Sequence, residues 1–231
     1  MSQKDYKQFA DEKLGIKFED INYLIIAFTH RSYLNEHRKS VTEHNERMEF
    51  LGDAVLELIV TEYLYTNFQE PEGILTNWRS ALVRTESLSV AAAKLGFDEY
   101  LRLSRGENKG SDRAREQIKA NTFEAVIGAI FLDQGYDAAQ KFITKNILTT
   151  LDGILKSGSW RDAKSHLQEA AQSVDGATPA YRVVEEEGPD HEKTFTIGVY
   201  VNDELKGKGV GSSKQEAQQN AADEALRHYQ S

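Results

Sequence analysis

Apolar residues recur three and four positions apart from about residue 4 to residue 156, and beyond Trp160 that rhythm gives way to another. The first two thirds of the chain are therefore expected to form an all-helical unit, with breaks near Gly73, Gly96, Gly106 to Gly110 and Gly135. The stretch KSGSW, residues 156–160, reads as a short link. The remaining third is α+β: a helix over 162–173, strands in YRVVEEEG and KTFTIGVYV, a strand then a turn in ELKGKGVG, and a helix in SKQEAQQNAADEALRHY. With 231 residues and 39% hydrophobic content, the chain can bury one good core and a smaller one, so two domains are expected, 1–155 and 161–231.

Within the helical part, HNERMEFLGDAVLELIV (44–60) combines an apolar stripe with a row of acids. At about 100° per residue, Glu46, Glu49, Asp53 and Glu57 fall within an arc of about 80°, while Met48, Leu51, Val55, Leu58 and Ile59 fall opposite. Arg47 projects about 100° from Glu46, so the acids have no i,i+4 partner on their own helix. A solvated charged face is the ordinary explanation of such a row. Phe50 argues against it, because a large ring about 40° from Glu46 does not suit a solvated face.

Composition narrows the chemistry. The chain has no Cys, so thiolate metal sites, cysteine nucleophiles and disulfides are excluded, and any metal must be held by oxygen or His. The start, MSQKDYKQFADEKLG, lacks an apolar signal core, and no run approaches membrane-spanning length, so a cytoplasmic protein without a membrane partner is expected. A net charge of -9 speaks against a broad phosphate-binding surface. Residues 161–231 hold 8 basic and 13 acidic residues, a balance of -5.

A second helix, IKANTFEAVIGAIFLD, sets Asn121 and Glu124 on one side and Phe123, Ile127 and Ile130 on the other. Ala125, Gly128 and Ala129 lie near the polar side, so another helix can approach closely there. If the acidic helix is that neighbour, Glu49, Asp53, Asn121 and Glu124 form an all-oxygen cluster suited to Mg²⁺ or Mn²⁺. The six His residues are scattered, and His30 in AFTHRSY is expected to be a packed, hydrogen-bonded residue rather than a base.

HNERMEFLGDAVL resembles the signature of the ribonuclease III family, and AFTHRSY, LVRTESL and NTFEAVIGAIFLDQG occur in the order found there. HLQEAAQ, YRVVEEEGPDHEKTF and GKGVGSSKQEAQQNAA are similar to a double-stranded RNA-binding domain. The resemblance implies an all-α endonuclease domain followed by a small α-β-β-β-α domain. It implies a homodimer that cuts double-stranded RNA with Mg²⁺, Mn²⁺ being able to substitute and no small-molecule cofactor being needed. The products would carry 5′-phosphate and 3′-hydroxyl ends with short 3′ overhangs, and the role would lie in RNA processing.

By motif position the resemblance implies Glu49, Asp53, Asn121 and Glu124 as metal-site residues, with Asp53 and Glu124 catalytic. Glu46 and Glu72 would be acids of the cleft or the dimer contact, and Phe50 part of the dimer interface. Glu57 is expected to be only a surface acid. Gln168, Glu169, Gln172, His191 and Lys214 are the implied RNA contacts, with Lys193, Lys206 and Lys208 as a further local patch. Arg105, Lys109 and Arg113, in SRGENKGSDRAR, could equally touch phosphates or belong to a solvated loop.

Two departures bear on function. The family usually has Asp where this chain has Asn121, which leaves three formal charges in the cluster instead of four; an amide oxygen still ligates Mg²⁺ but attracts it less. Where two adjacent basic residues are common, Gln215 follows Lys214. Both favour the main rival, a protein that holds double-stranded RNA without cutting it. A third reading, a helical phosphohydrolase acting on small nucleotides, leaves everything after residue 160 unexplained.

Overall fold

The computed structural model describes residues 2–37, 41–158, 160, 163–189 and 193–229, and the chain divides into two compact units, Met1–Trp160 and Arg161–Ser231. The α-helices of the first unit are α1 (Gln3–Phe9), α2 (Ile21–Ala27), α3 (Arg31–Glu36), α4 (Glu46–Asn67), α5 (Glu72–Val83), α6 (Thr85–Lys94), α7 (Asp112–Asn146) and α8 (Leu151–Ser157). Ser2 and Asp5 form a capping box on α1. Tyr6, Phe9, Phe28, Phe97 and Tyr100 pack as an aromatic cluster, inside which the Tyr6 hydroxyl donates to the Tyr100 carbonyl at 2.7 Å. Burial pushes that hydroxyl up to about 12.

The centre of the unit is the crossing of α4 and α7. A Cβ placed on Gly52 would lie 1.8 Å from the Glu124 carbonyl oxygen, and one on Gly128 would lie 2.3 Å from that of Met48. The two backbones therefore touch, which only glycine permits. Leu56, Ile59, Phe123, Ile127 and Ile130 close the core around this contact. The buried side of α4 centres on Gly52, Leu56 and Ile59. That leaves Leu58, expected inside, about 100° or more around the helix and 58% exposed.

One expected break comes out differently. Gly73 lies within α5; the chain turns earlier, at Pro71, which precedes the helix in extended conformation and starts it. At Gly135 the helix breaks as expected, in a kink within α7 at φ 78° and ψ -168°, beside which the Asp133 carboxylate accepts from the Glu19 and Asp20 amides. The stretch read as a link is partly the end of this unit. Helix α8 takes in Lys156 and Ser157, and Trp160 sets its ring edge-on to Trp78 at 5.8 Å.

The second unit is α9 (Ala163–Asp175), β1 (Ala180–Glu187), β2 (Thr194–Val201), β3 (Glu204–Gly211) and α10 (Lys214–Leu226), its antiparallel sheet ordered β1-β2-β3. Asn202 and Asp203, both at positive φ, make the tight turn between β2 and β3. ELKGKGVG is strand throughout rather than strand then turn. Its glycines serve close approach to α10: a Cβ on Gly209 would lie 2.3 Å from the Ala217 carbonyl. Leu167, Val199, Ala221, Ala222 and Ala225 form the small core. Among the described residues, no helix is long and apolar enough to cross a membrane.

Candidate functional site

The glycine contact sets the functional side chains. Glu49 and Asp53 flank Gly52 on α4, and Glu124, whose own carbonyl touches that glycine, projects from α7 one turn beyond Asn121. Glu124 is half-buried, and burial first, then the charges of Asp53, Glu49 and Glu57, pushes its carboxyl up to about 8. Glu49 is likewise raised, by burial and then by Glu46, while the Asn121 amide hydrogen-bonding toward it works the other way. The Asn121 carbonyl oxygen accepts from Gln117 Nε2 at 2.6 Å. Both carboxyls are thus raised chiefly by burial and further by neighbouring acids.

Among the described residues, no three His, Cys, Asp or Glu side chains are gathered tightly enough to hold a metal ion. The donor set nonetheless suits a hard cation: three carboxylates and an amide oxygen. A divalent charge there would offset both the burial that chiefly raises Glu124 and Glu49 and the neighbouring acids that add to it.

Both ends of the acidic row are held by arginines that helix periodicity does not reveal. Arg31, from α3, lies 3.5 Å from Glu46, which also has His44 Nδ1 at 3.8 Å. Arg79, from α5, pairs with Glu57 at 2.9 Å and donates to the Thr61 hydroxyl at 3.0 Å. Glu57 is thus half-buried, paired and electrostatically coupled to Glu124, more than the surface acid expected. Beyond it, Glu72 opens α5 at a hollow of about 790 Å³ that Thr61, Leu75 and Arg79 also line. Glu46 and Glu72 therefore flank the central group from opposite ends.

Phe50 lies on the adjoining face of α4 and is 80% exposed. It forms part of the wall of a hollow of about 920 Å³, with apolar Tyr23, Ile26 and Leu132 and with polar His44, Glu46 and Arg47. Leu58 and Tyr65 continue the exposed apolar stripe along the same helix. His30 caps α3: its Nδ1 accepts from the Ser32 amide at 3.2 Å and contacts the Ser32 hydroxyl at 2.8 Å, and burial lowers its pKa. Lys109 falls in a short 3₁₀ turn and Arg113 in the first turn of α7.

In the second unit, Gln168, Glu169 and Gln172 are exposed on α9, across the helix from buried Ala163, Leu167 and Ala171. Lys214 begins α10 behind the Ser213 cap, which accepts from the Glu216 amide at 3.2 Å. His191 lies outside the described residues. The expected basic patch is partly neutralised from within, since Lys206 meets Glu204 at 2.7 Å while Lys193 and Lys214 both meet Glu186.

A family model described as ribonuclease-III-like matches residues 20–151, and a double-stranded RNA binding motif matches residues 163–229. The chain is 48% identical over 217 residues to a ribonuclease 3 of Enterococcus faecalis, with 94% of each chain covered. It is 45% identical over 217 residues to a ribonuclease 3 of Protochlamydia amoebophila, covering 94% of this chain and 89% of that one. Among solved structures, the nuclease domain of a Campylobacter jejuni ribonuclease III, whose study concerns flexibility in a region involved in dimer formation, matches with a TM-score of 0.54. Its identity is 38%, covering 60% of this chain and 96% of that one.

Proposed function

The chain belongs to the ribonuclease III family of double-stranded RNA endonucleases, and from that premise we propose that it hydrolyses the RNA backbone with a divalent cation held by Glu49, Asp53, Asn121 and Glu124. The observation that carries this is the backbone contact of Gly52 with Glu124, which sets the acids of α4 beside a Glu124 carboxyl that burial first, and those acids next, push up to about 8. Mg²⁺ bound there, with Mn²⁺ able to substitute, supplies activation of a water and stabilisation of the leaving 3′ oxygen. The chain's part is to carry those oxygens on two touching helices, which limits the adjustment needed to gather them around a cation. Arg31 and Arg79 fix the ends of the row by pairing Glu46 and Glu57.

Products are proposed to carry 5′-phosphate and 3′-hydroxyl ends with short 3′ overhangs. In the second unit the exposed face of Gln168, Glu169 and Gln172, with Lys214 at a helix start, supports recognition of A-form shape. Incubating the full chain with a long RNA duplex in Mg²⁺, then in Ca²⁺, tests the whole reading. Discrete cuts in Mg²⁺ are expected. Binding without any product would favour the rival reading, a non-cleaving binder, which Asn121 motivates.

Asn121 also yields a graded test. An Asp at 121 adds a charge to the donor set and cannot donate to Glu49 as the amide does. Asn121→Asp is therefore expected to lower the Mg²⁺ concentration for half-maximal cleavage by about tenfold, a modest share of what a unit charge about 4 Å away is worth near a protein surface. Superimposable Mg²⁺ titrations would remove Asn121 from the donor set.

The homodimer is proposed from Phe50: an exposed ring on the wall of a hollow that also carries Tyr23, Ile26 and Leu132 suits an isologous contact in which each copy presents the same ring and hollow. Phe50→Ala should weaken association by roughly 3 kcal/mol, as for truncation of a buried aromatic. Sedimentation equilibrium checks this, and an unchanged dissociation constant would refute it.

A further inference from the structure

Glu186 stands on β1 opposite Phe195 of β2, and its two carboxylate oxygens face two lysines. Lys214 Nζ lies 2.9 Å from Oε1 and Lys193 Nζ 3.5 Å from Oε2. The Lys214 ammonium also lies 5.4 Å from the centre of the Phe195 ring, so carboxylate, ammonium and ring form one column at the start of α10. Lys214 first, and then Lys193, hold the Glu186 carboxyl below the usual carboxylate range. A carboxylate shared by two ammonium groups at a helix start has the charge and hydrogen-bonding geometry of a bound phosphate oxygen pair.

We propose that Glu186 is an internal stand-in for the RNA backbone, a carboxylate that a phosphate must displace from Lys193 and Lys214, and that it sets the affinity and salt range over which the second unit holds a duplex. The inference rests on the reading of Lys214 as an RNA contact. It gives a physical account of how an acidic domain with few lysines limits its own grip. Each lysine that loses Glu186 gains a phosphate, so the net change on binding is small. Without Glu186 that competition is gone from both lysines, and more of the attraction of the phosphates is felt.

The strand provides its own control. Glu185 pairs across from Thr196, and side chains of successive strand residues point to opposite faces, so Glu185 carries the same charge but not the same position. If Glu186 acts by position, Glu186→Gln tightens binding and Glu185→Gln does not.

The test measures binding of the full chain, in Ca²⁺, to an RNA duplex of about 20 base pairs, longer than the roughly 16 that such a domain spans. Glu186→Gln should bind about three- to tenfold more tightly at low salt, the scale expected for releasing two exposed pairs. Its affinity should also fall more steeply with salt, by roughly one unit of log-log slope. Lys214→Ala should weaken binding, and adding Glu186→Gln to it should recover only part of the gain seen in the parent. If Lys214→Ala binds like the parent, the reading of Lys214 itself falls, and the inference with it. If Lys214→Ala binds weakly but Glu186→Gln binds no tighter than the parent, the inference alone is overturned. The same holds if Glu185→Gln tightens binding equally, since net charge would then explain the effect.

Discussion

Gly52→Ala is expected to reduce cleavage by about a hundredfold or more while a similar change at Gly153 leaves it intact. The added methyl at residue 52 would start 1.8 Å from the Glu124 carbonyl oxygen, 2.6 Å from its carbon and 2.9 Å from the Gly128 amide nitrogen. All three are backbone atoms, so no side chain can swing aside. The helices must separate by about 1.5 Å to reach ordinary contact distance. That shift moves Glu49 and Asp53 away from Asn121 and Glu124 and opens the core beneath them, and such overpacking typically costs about 1–3 kcal/mol of stability. Gly153, within α8, has open space where its Cβ would go, so Gly153→Ala should be neutral or stabilising by up to about 1 kcal/mol. Thermal melts and cleavage rates of both variants check the contrast. A Gly52→Ala protein that melts and cuts like the parent would show that the crossing tolerates separation and that the site does not depend on it.

Much of this arrangement is legible in the sequence, and the remainder shows what periodicity omits. The helical repeat and the later alternation give the two units and the order of elements in each. The small side of IKANTFEAVIGAIFLD points to a close helix neighbour, and Gly128 is where α4 makes contact. Its counterpart Gly52 carries a signal that is easy to pass over, a glycine inside an otherwise strong helix former, where it costs stability unless a backbone lies against it. Arg31 and Arg79 reach the acids from other helices, so no spacing within residues 44–60 announces them. Glu57 looks like a surface acid for the same reason. Leu58 and Phe50 illustrate the reverse: a residue's angle on a helix is fixed by the sequence, but which angle is inside depends on where the neighbours lie. The Glu186 pairs join β1 to α10 and to the approach to β2, positions that only the folded sheet brings together.

Glu124→Gln is expected to abolish cleavage, on the order of a thousandfold or more, and yet to make the metal-free protein more stable at alkaline pH. The first effect comes from removing a carboxylate from the donor set. The second comes from the sign of its shift. In the folded chain burial and the neighbouring acids raise Glu124 from 4.5 to about 8, so the folded state keeps a proton that the unfolded chain releases near 4.5. A group raised in this way contributes its stability fully below the unfolded value and loses it as pH climbs through the folded one. Over the window from about 4.5 to about 8 the parent should therefore lose stability through this residue, whereas Gln, which never ionises, does not. Melting temperatures in EDTA should coincide for parent and variant near the acid end of that window and separate toward its alkaline end, with the variant higher. Adding Mg²⁺ at the alkaline end should reverse the order, since a cation that binds the folded parent stabilises it by mass action and the variant lacks a ligand. A variant no more stable than the parent at the alkaline end, with metal absent, would mean that burial and the neighbouring acids do not hold a proton on Glu124. The acids of α4 and α7 would then not be the strained, cation-seeking group on which the proposed chemistry depends.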